Sequence, residues 1–172
     1  MAATSDVRNR LQPALLDRLN DDAPRERNES DDHRVMSKTQ LRQAVLRDLG
    51  ALFNAVQPLG ASVTDIHPVL DGSVLNYGLP ALSGQLASKL DAHLLERLIR
   101  EAIVNYEPRI LPDTLQVRAM ETTSVLDTHN VIEFEIRGHL WSQPVPLEIL
   151  LRTQIDLEAG QVEVTDVGGL LR

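Results

Sequence analysis

The sequence contains no cysteine, and only 3% of its 172 residues are aromatic. The first absence excludes disulfide bonds, thiolate catalysis and cysteine-bound zinc, and it fits a protein of the reducing cytosol. The second leaves the core to Leu, Val, Ile and Ala, and it disfavours sites that stack bases or sugars. A chain of this length can nevertheless bury a core of its own, so we expect one domain plus a tail.

Two kinds of sequence run are also missing. The formal net charge is -8 and no cluster of Lys or Arg offsets it, so the chain would repel a phosphate backbone and no nucleic-acid partner is expected. No stretch approaches the ~20 apolar residues of a membrane helix, and the start MAATSDVRNR lacks the apolar segment of a signal peptide. We expect a soluble, unexported protein with no direct membrane insertion.

Residues 1–36 are predicted to form an N-terminal arm and linker. The stretch LQPALLDRL places Leu15, Leu16 and Leu19 on one face of a short helix, and the charged stretch NDDAPRERNESDDHR that follows has almost nothing to bury. The arm is therefore expected to be flexible or ordered by a partner. Two interpretations of the leucines stay open: they dock on another subunit, or they fold back onto the domain.

Two amphipathic helices open the predicted domain, residues 37–172. Ser37 and Gln40 form a capping box, and an apolar stripe then runs to a stop before Pro58. Residues 58–84 are rich in glycine and proline and predict loops with at most short elements. The second helix is predicted from about Ala87 to Tyr106. The first apolar stripe is Leu41, Val45, Leu49, Leu52, Phe53 and Val56; the second is Leu94, Leu95, Leu98, Ala102 and Tyr106.

After the second helix the apolar period changes to two, which predicts half-buried antiparallel strands. Alternation is clear in LQVRAME and VIEFEIRGHL, and it extends over an unusually long run from Val145 to Leu157. The sequence EAG then turns the chain into QVEV, a predicted hairpin. The predicted fold class is α+β: two main helices packed on one face of a small, mostly antiparallel sheet, with a flexible N-terminal arm.

The sequence supports no catalytic, cofactor or metal site. Its five histidines are far apart, and no nucleophile elbow or phosphate loop is present. The alternative is a glycan hydrolase with Glu107 as the acid. Arg109 beside it would favour the ionised form, no second carboxylate is placed near it, and no aromatic platform is present to bind a sugar. We therefore expect no enzyme.

The sequence NYEPRI ends the second helix with an acidic residue, although a helix C-terminus favours cations. Pro108 fixes the corner, so Glu107 and Arg109 are predicted to form a rigid, two-signed prong that binds a partner. Reversing either charge should then barely change stability, because an exposed ion pair contributes only ~0–1 kcal/mol. The alternative is that the two residues pair with each other or with the sheet.

Five segments carry a resemblance to a known family: LQPALLDRL, RVMSKTQLRQAVLRDLGALFN, SVLNYGLP, LIREAIVNYEPRI and FEIRGHLWSQPVPLEILLRTQIDLEAGQVEV. Together they resemble the TssE family of type VI secretion baseplate subunits, similar to the small wedge subunit of contractile-phage baseplates. The resemblance implies a fold like the sheet-sharing domain of the sheath subunit. It also implies a cytoplasmic protein in a baseplate at the inner membrane, one that contacts other wedge subunits and starts the first sheath ring. The wider family has carried a lysozyme label, which the residues do not support.

The long third strand completes the predicted partner surface. Its length exceeds the ~5–6 residues of a typical strand, and prolines 144 and 146 protect only its start. We predict that a sheath segment adds as a strand along residues 145–166, while the sequence leaves open which strand is the edge. The residues assigned to this contact are Leu147, Ile149, Gln154 and Glu163.

Overall fold

The computed structural model describes residues 14–19, 36–82, 91–120 and 131–168. The helices are α1 (Leu15–Leu19), α2 (Lys38–Asn54), α3 (Ala61–Thr64) and α4 (Ala92–Tyr106), with 3-10 turns at Pro68–Leu70, Val74–Asn76 and Pro112–Thr114. The strands are β1 (Gln116–Ala119), β2 (Val131–Leu140), β3 (Leu147–Asp156) and β4 (Gln161–Asp166). The charged linker after the leucines and the last four residues lie outside the described part.

Helix α2 confirms the predicted capping box and corrects the predicted end. The Ser37 hydroxyl accepts from the Gln40 N–H at 3.2 Å, and the Gln40 side chain accepts from the Ser37 N–H at 2.8 Å. The helix stops at Asn54 because Ala55 turns into an extended conformation. Val56, predicted to lie on the buried stripe, is 62% exposed as a result.

Helix α4 begins later than predicted. Asp91 is extended and accepts a hydrogen bond from the His93 N–H at 3.0 Å, so the helix starts at Ala92 rather than near Ala87. The buried face also differs slightly, since Leu94 is 37% exposed. The residues that α4 buries are Leu95, Ile99, Ala102 and Ile103.

The four strands form one antiparallel sheet in the order β1-β2-β3-β4. The two main helices pack on one face, where Phe134, Ile136, Leu151 and Ile155 are buried beneath them. The predicted α+β class is confirmed. No helix within the described ranges is long and apolar enough to cross a membrane.

The strand order corrects one prediction about the partner surface. The long strand β3 lies between β2 and β4; it pairs with β2 along its whole length but with β4 only from Leu151 to Asp156, so its first residues have no β4 partner. Leu147 and Ile149 face the core, and Ile149 is only 2% exposed. These two side chains therefore pack inside the domain, and an added strand at Leu147 to Ile149 would meet the main chain that β4 leaves unpaired.

One hydrogen bond shows which main-chain N–H and C=O groups of β4 face β3 and which face the open edge. The Val167 N–H donates to the Leu150 carbonyl at 2.9 Å. Alternation in an antiparallel ladder then turns the main-chain groups of Glu163 and Thr165 towards β3, and those of Val162 and Val164 towards the open edge.

Candidate functional site

Within the Glu107-Pro108-Arg109 corner, Glu107 is buried where the sequence predicted display. Glu107 follows the last turn of α4 and is 3% exposed, whereas Pro108 lies on the surface. The Glu107 N–H still donates to the Ile103 carbonyl, at 2.8 Å, so the helix places this carboxylate directly. The prediction of an exposed two-signed prong is wrong for Glu107.

Arg109 explains how a carboxylate can be buried there. Its Nε lies 2.7 Å from Glu107 Oε1, and its Nη2 lies 2.5 Å from Glu107 Oε2, a two-point ion pair. The same Nη2 lies 2.5 Å from Asp48 Oδ2 on α2. Burial alone would lower the pKa of Arg109, but its bonds to Glu107 and then Asp48 raise it overall. The alternative of an internal pair is therefore the one the structure adopts, with Asp48 as a third member.

The ion-pair chain continues to the arm. Arg47 Nη2 lies 2.8 Å from Asp48 Oδ1, and Arg47 Nη1 lies 2.6 Å from Asp17 Oδ1 on α1. Alongside this chain is a cleft of about 380 Å³. Its lining comprises Ala14, Asp48, Leu52, Tyr77, Tyr106, Glu107, Pro108 and Arg109. Helix α1 thus rests against the domain next to the corner.

The leucines of α1 face away from that contact. Leu15, Leu16 and Leu19 are 74%, 62% and 75% exposed. Asp17 points to Arg47 instead, so the polar side of α1 meets the domain and its apolar side meets solvent. The segment therefore folds back onto the domain without burying its leucines, and their docking on another subunit stays a prediction.

A tyrosine pair supports the other side of the cleft. The rings of Tyr77 and Tyr106 meet edge to face, 5.3 Å between centroids. The Tyr106 hydroxyl lies 2.9 Å from the carbonyl oxygens of Ser73 and Asn76, which anchors the loop before Tyr77. Burial, and secondarily the charge of Asp71, raise the pKa of Tyr106.

At Gly78, φ is 124°, and a Cβ would lie 2.4 Å from the Ala55 oxygen, so only glycine fits there.

Each sheet edge carries a hydrogen bond from the neighbouring helix. Asn54 at the end of α2 donates from Nδ2 to the Val162 carbonyl at 2.8 Å and accepts from the Val162 N–H at 2.9 Å. On β1, Glu96 Oε1 accepts from the Ala119 N–H at 2.7 Å. That bond, together with the one from His93, lowers the pKa of Glu96.

The structure places Gln154 and Glu163 on the outer face of the sheet. They are cross-strand neighbours, and Gln154 Nε2 donates to Glu133 Oε1 at 2.8 Å. Both side chains are exposed, but only Glu163 lies on an edge strand. The predicted set is therefore not one surface: α1 lies next to the corner, Ile149 faces the core, and Glu163 lies on the β4 edge strand.

Sequence reasoning missed Asp48, Arg47, Asn54 and Glu96. Arg47 and Asp48 directly precede Leu49 of the buried stripe of α2, and an acid–base pair beside such a stripe was the available signal. No local pattern links Asp48 with Arg109, because the pairing depends on how α2 and α4 pack.

The corner offers little for chemistry. Both Glu107 oxygens already accept from Arg109, so neither is presented to a substrate, and within the described ranges no group of three or more His, Asp or Glu could hold a metal. The exposed features include a leucine face and sheet edges, the kinds of surface through which proteins generally bind other chains. The class is that of a structural assembly protein.

Comparison with known proteins assigns the family. Residues 39–145 match the family described as "Baseplate wedge protein gp25", and the chain belongs to that family. It is a baseplate wedge protein with a structural role, and the glycan-hydrolase alternative is set aside. No curated protein matches the chain significantly. A solved chain from "The baseplate complex from the type VI secretion system" is 19% identical, with a TM-score of 0.43 and coverage of 67% of this chain and 94% of that one.

Proposed function

We propose that the chain is the small wedge subunit of a type VI secretion baseplate, joining other wedge subunits to the first sheath ring and nucleating the sheath. The family match supports the baseplate part. The resemblance of the Glu-Pro-Arg corner and of the Pro-Val-Pro-Leu-Glu strand start supports the secretion system. The proposal places the protein in the cytoplasm, in a baseplate at the inner membrane. Residues 1–36 serve as arm and linker, and residues 37–172 as the wedge domain.

The sheath contact is proposed as strand addition on β4. The observation that carries it is Val164, whose outward N–H and C=O lie at the middle of a six-residue edge strand. No group from outside the sheet, among the described residues, hydrogen-bonds Val164. A sheath strand would use these main-chain groups for affinity, with Glu163 beside it on the outer face.

Contacts with other wedge subunits are proposed at two places near the cleft. The leucine face of α1 offers Leu15, Leu16 and Leu19 to an apolar groove, and Pro108 with the exposed quarter of the Arg109 side chain offers a rigid polar corner. Glu107 supports this surface from behind by holding the guanidinium in place.

Proline substitution tests the sheath contact, and the register decides where to place it. Val164→Pro removes an outward N–H and keeps the ladder to β3, so we expect a folded protein that no longer nucleates sheath in electron micrographs. Val164→Ala is the matched control, because it shortens the side chain and keeps the N–H. Glu163→Pro would instead remove a bond to Gln154 and destabilise the sheet. Normal nucleation by folded Val164→Pro would refute strand addition on β4.

A further inference from the structure

We infer that Asn54 is a displaceable latch on β4: its side-chain amide occupies the main-chain groups of Val162 that an incoming strand must bind, and it yields to that strand. The inference deepens the proposed strand addition and rests on it for the identity of the strand. The contact itself is an observed feature of the fold.

The amide of Asn54 imitates a strand residue. It donates to the Val162 carbonyl at 2.8 Å and accepts from the Val162 N–H at 2.9 Å. A residue in an antiparallel partner strand exchanges the same two bonds with the residue opposite. Asn54 therefore fills one position of a missing fifth strand.

The orientation of the amide is determined by its neighbours. Nδ2 has a second bond, to the Gly50 carbonyl at 2.8 Å, while Oδ1 faces the Val162 N–H. An exchanged oxygen and nitrogen would set two carbonyl oxygens against the Asn54 oxygen and an N–H against its NH₂ group. The helix end thus holds the amide in the one orientation that pairs with β4.

The latch is also accessible to a competitor. Asn54 is exposed, so water and an incoming strand both reach its bonds. Val164, two residues along the same edge, carries no such cap among the described residues. A strand would therefore bind first at Val164 and then replace Asn54 at Val162.

The opposite edge is held differently, which favours β4 as the acceptor. Glu96 is only part-exposed, and its carboxylate accepts a hydrogen bond from the Ala119 N–H. The same carboxylate pairs with His93 at 3.1 Å. A charge-assisted bond is stronger than a neutral amide bond. Strand β1 also has four residues against six in β4, so it offers a shorter ladder.

Asn54→Ala in the full chain tests the latch. Asn105→Ala is the matched control, since Asn105 is an exposed asparagine near the end of α4, the helix that packs on β1 at the other side of the sheet. Amide exchange by NMR measures the latch directly: we expect the Val162 N–H to exchange at least roughly tenfold faster in Asn54→Ala, with the Glu163 N–H unchanged.

Two further measurements test displacement. Without its competitor, β4 should bind the purified sheath protein of the same apparatus about tenfold more tightly, and the isolated chain should self-associate more in sedimentation, as an uncapped edge does. Both effects should be absent in Asn105→Ala. Sheath binding should slow exchange at Val162 and Val164 in the parent chain.

The outcomes separate the latch from the proposed function. Suppose that sheath binding slows amide exchange at Val164, but Asn54→Ala leaves the exchange rate of the Val162 N–H, the affinity for the sheath protein and the self-association unchanged. The latch is then refuted and strand addition stands. If sheath protects neither amide while Asn54→Ala still exposes Val162 and promotes self-association, the latch stands and the sheath contact is refuted.

Discussion

Two neighbouring regions of this protein reverse the usual distribution of polar and apolar side chains. At the corner, Glu107 is charged and buried; on α1, three leucines are apolar and exposed. The first arrangement is tolerated because Arg109, itself held by Asp48, pairs with the carboxylate, and a buried charge without a partner would be costly. The second arrangement fits the proposed contact of the leucines with other wedge subunits. Buried charge here serves folding, whereas for the exposed leucines we propose a role in binding.

The largest effect is expected at the corner. Arg109→Ala leaves Glu107 buried without its partner, and we expect a loss of about 3–5 kcal/mol in the free energy of unfolding, measured with urea. This replaces the sequence-based expectation of almost no change. Arg97→Ala is the control, because Arg97 forms only an exposed pair with Glu101 at 4.0 Å and should cost under about 0.5 kcal/mol. Equal effects of the two substitutions would contradict the role of burial.

An intermediate effect is expected on α1, and in assembly rather than stability. Leu16→Ala should leave the unfolding free energy within about 0.5 kcal/mol, since the side chain is mostly exposed. Its affinity for the other wedge subunits should fall by up to about 1.5–3 kcal/mol, the value of burying a leucine. Titration calorimetry and melting curves measure the two quantities. A variant that melts early and assembles normally would place the leucine in the core instead.

The smallest effect concerns pH and an exposed ion pair. Glu96 raises the pKa of His93. The stability that this pairing contributes is therefore present below pH 6.5 and is lost as pH rises through the folded pKa of His93. Hydrogen bonds from the Ala119 N–H and then from His93 lower the pKa of Glu96. The stability that ionised Glu96 contributes is therefore present above pH 4.5 and is lost as pH falls through its folded pKa. The stability difference between the parent and Glu96→Gln should therefore peak between pH 4.5 and 6.5. A difference independent of pH would show that charge has no part in the β1 cap.

Much of the fold could be predicted because local periodicity reports side-chain direction. The capping box at Ser37, the core stripe from Leu41 to Phe53 and the alternation around Phe134 all appear in the structure. The errors lie at element ends, such as the start of α4, where Asp91 acts as a cap inside a predicted helix. Hydrogen bonds of single residues set these ends, and periodicity does not detect them.

The candidate site was less predictable, because its contacts join distant segments. The sequence marked Glu107 and Arg109 as unusual, but it could not show that Asp48 stands beside them. It predicted a long strand from Val145 to Leu157, observed from Leu147 to Asp156, but strand length does not indicate which strands flank it. The edge residues Asn54 and Val162 are likewise far apart in the chain and meet only in the packed domain.

By itself, the amino-acid sequence determined the two amphipathic helices, the alternating strands, the leucine face of the arm and the proline-fixed corner, since each depends on neighbouring residues. Tertiary structure alone decided that Glu107 is buried, that β3 is interior and that Asn54 caps β4. The physical reason is that burial and strand order depend on which distant segments pack together. A residue's neighbours in sequence determine where its side chain points, and packing determines what it meets.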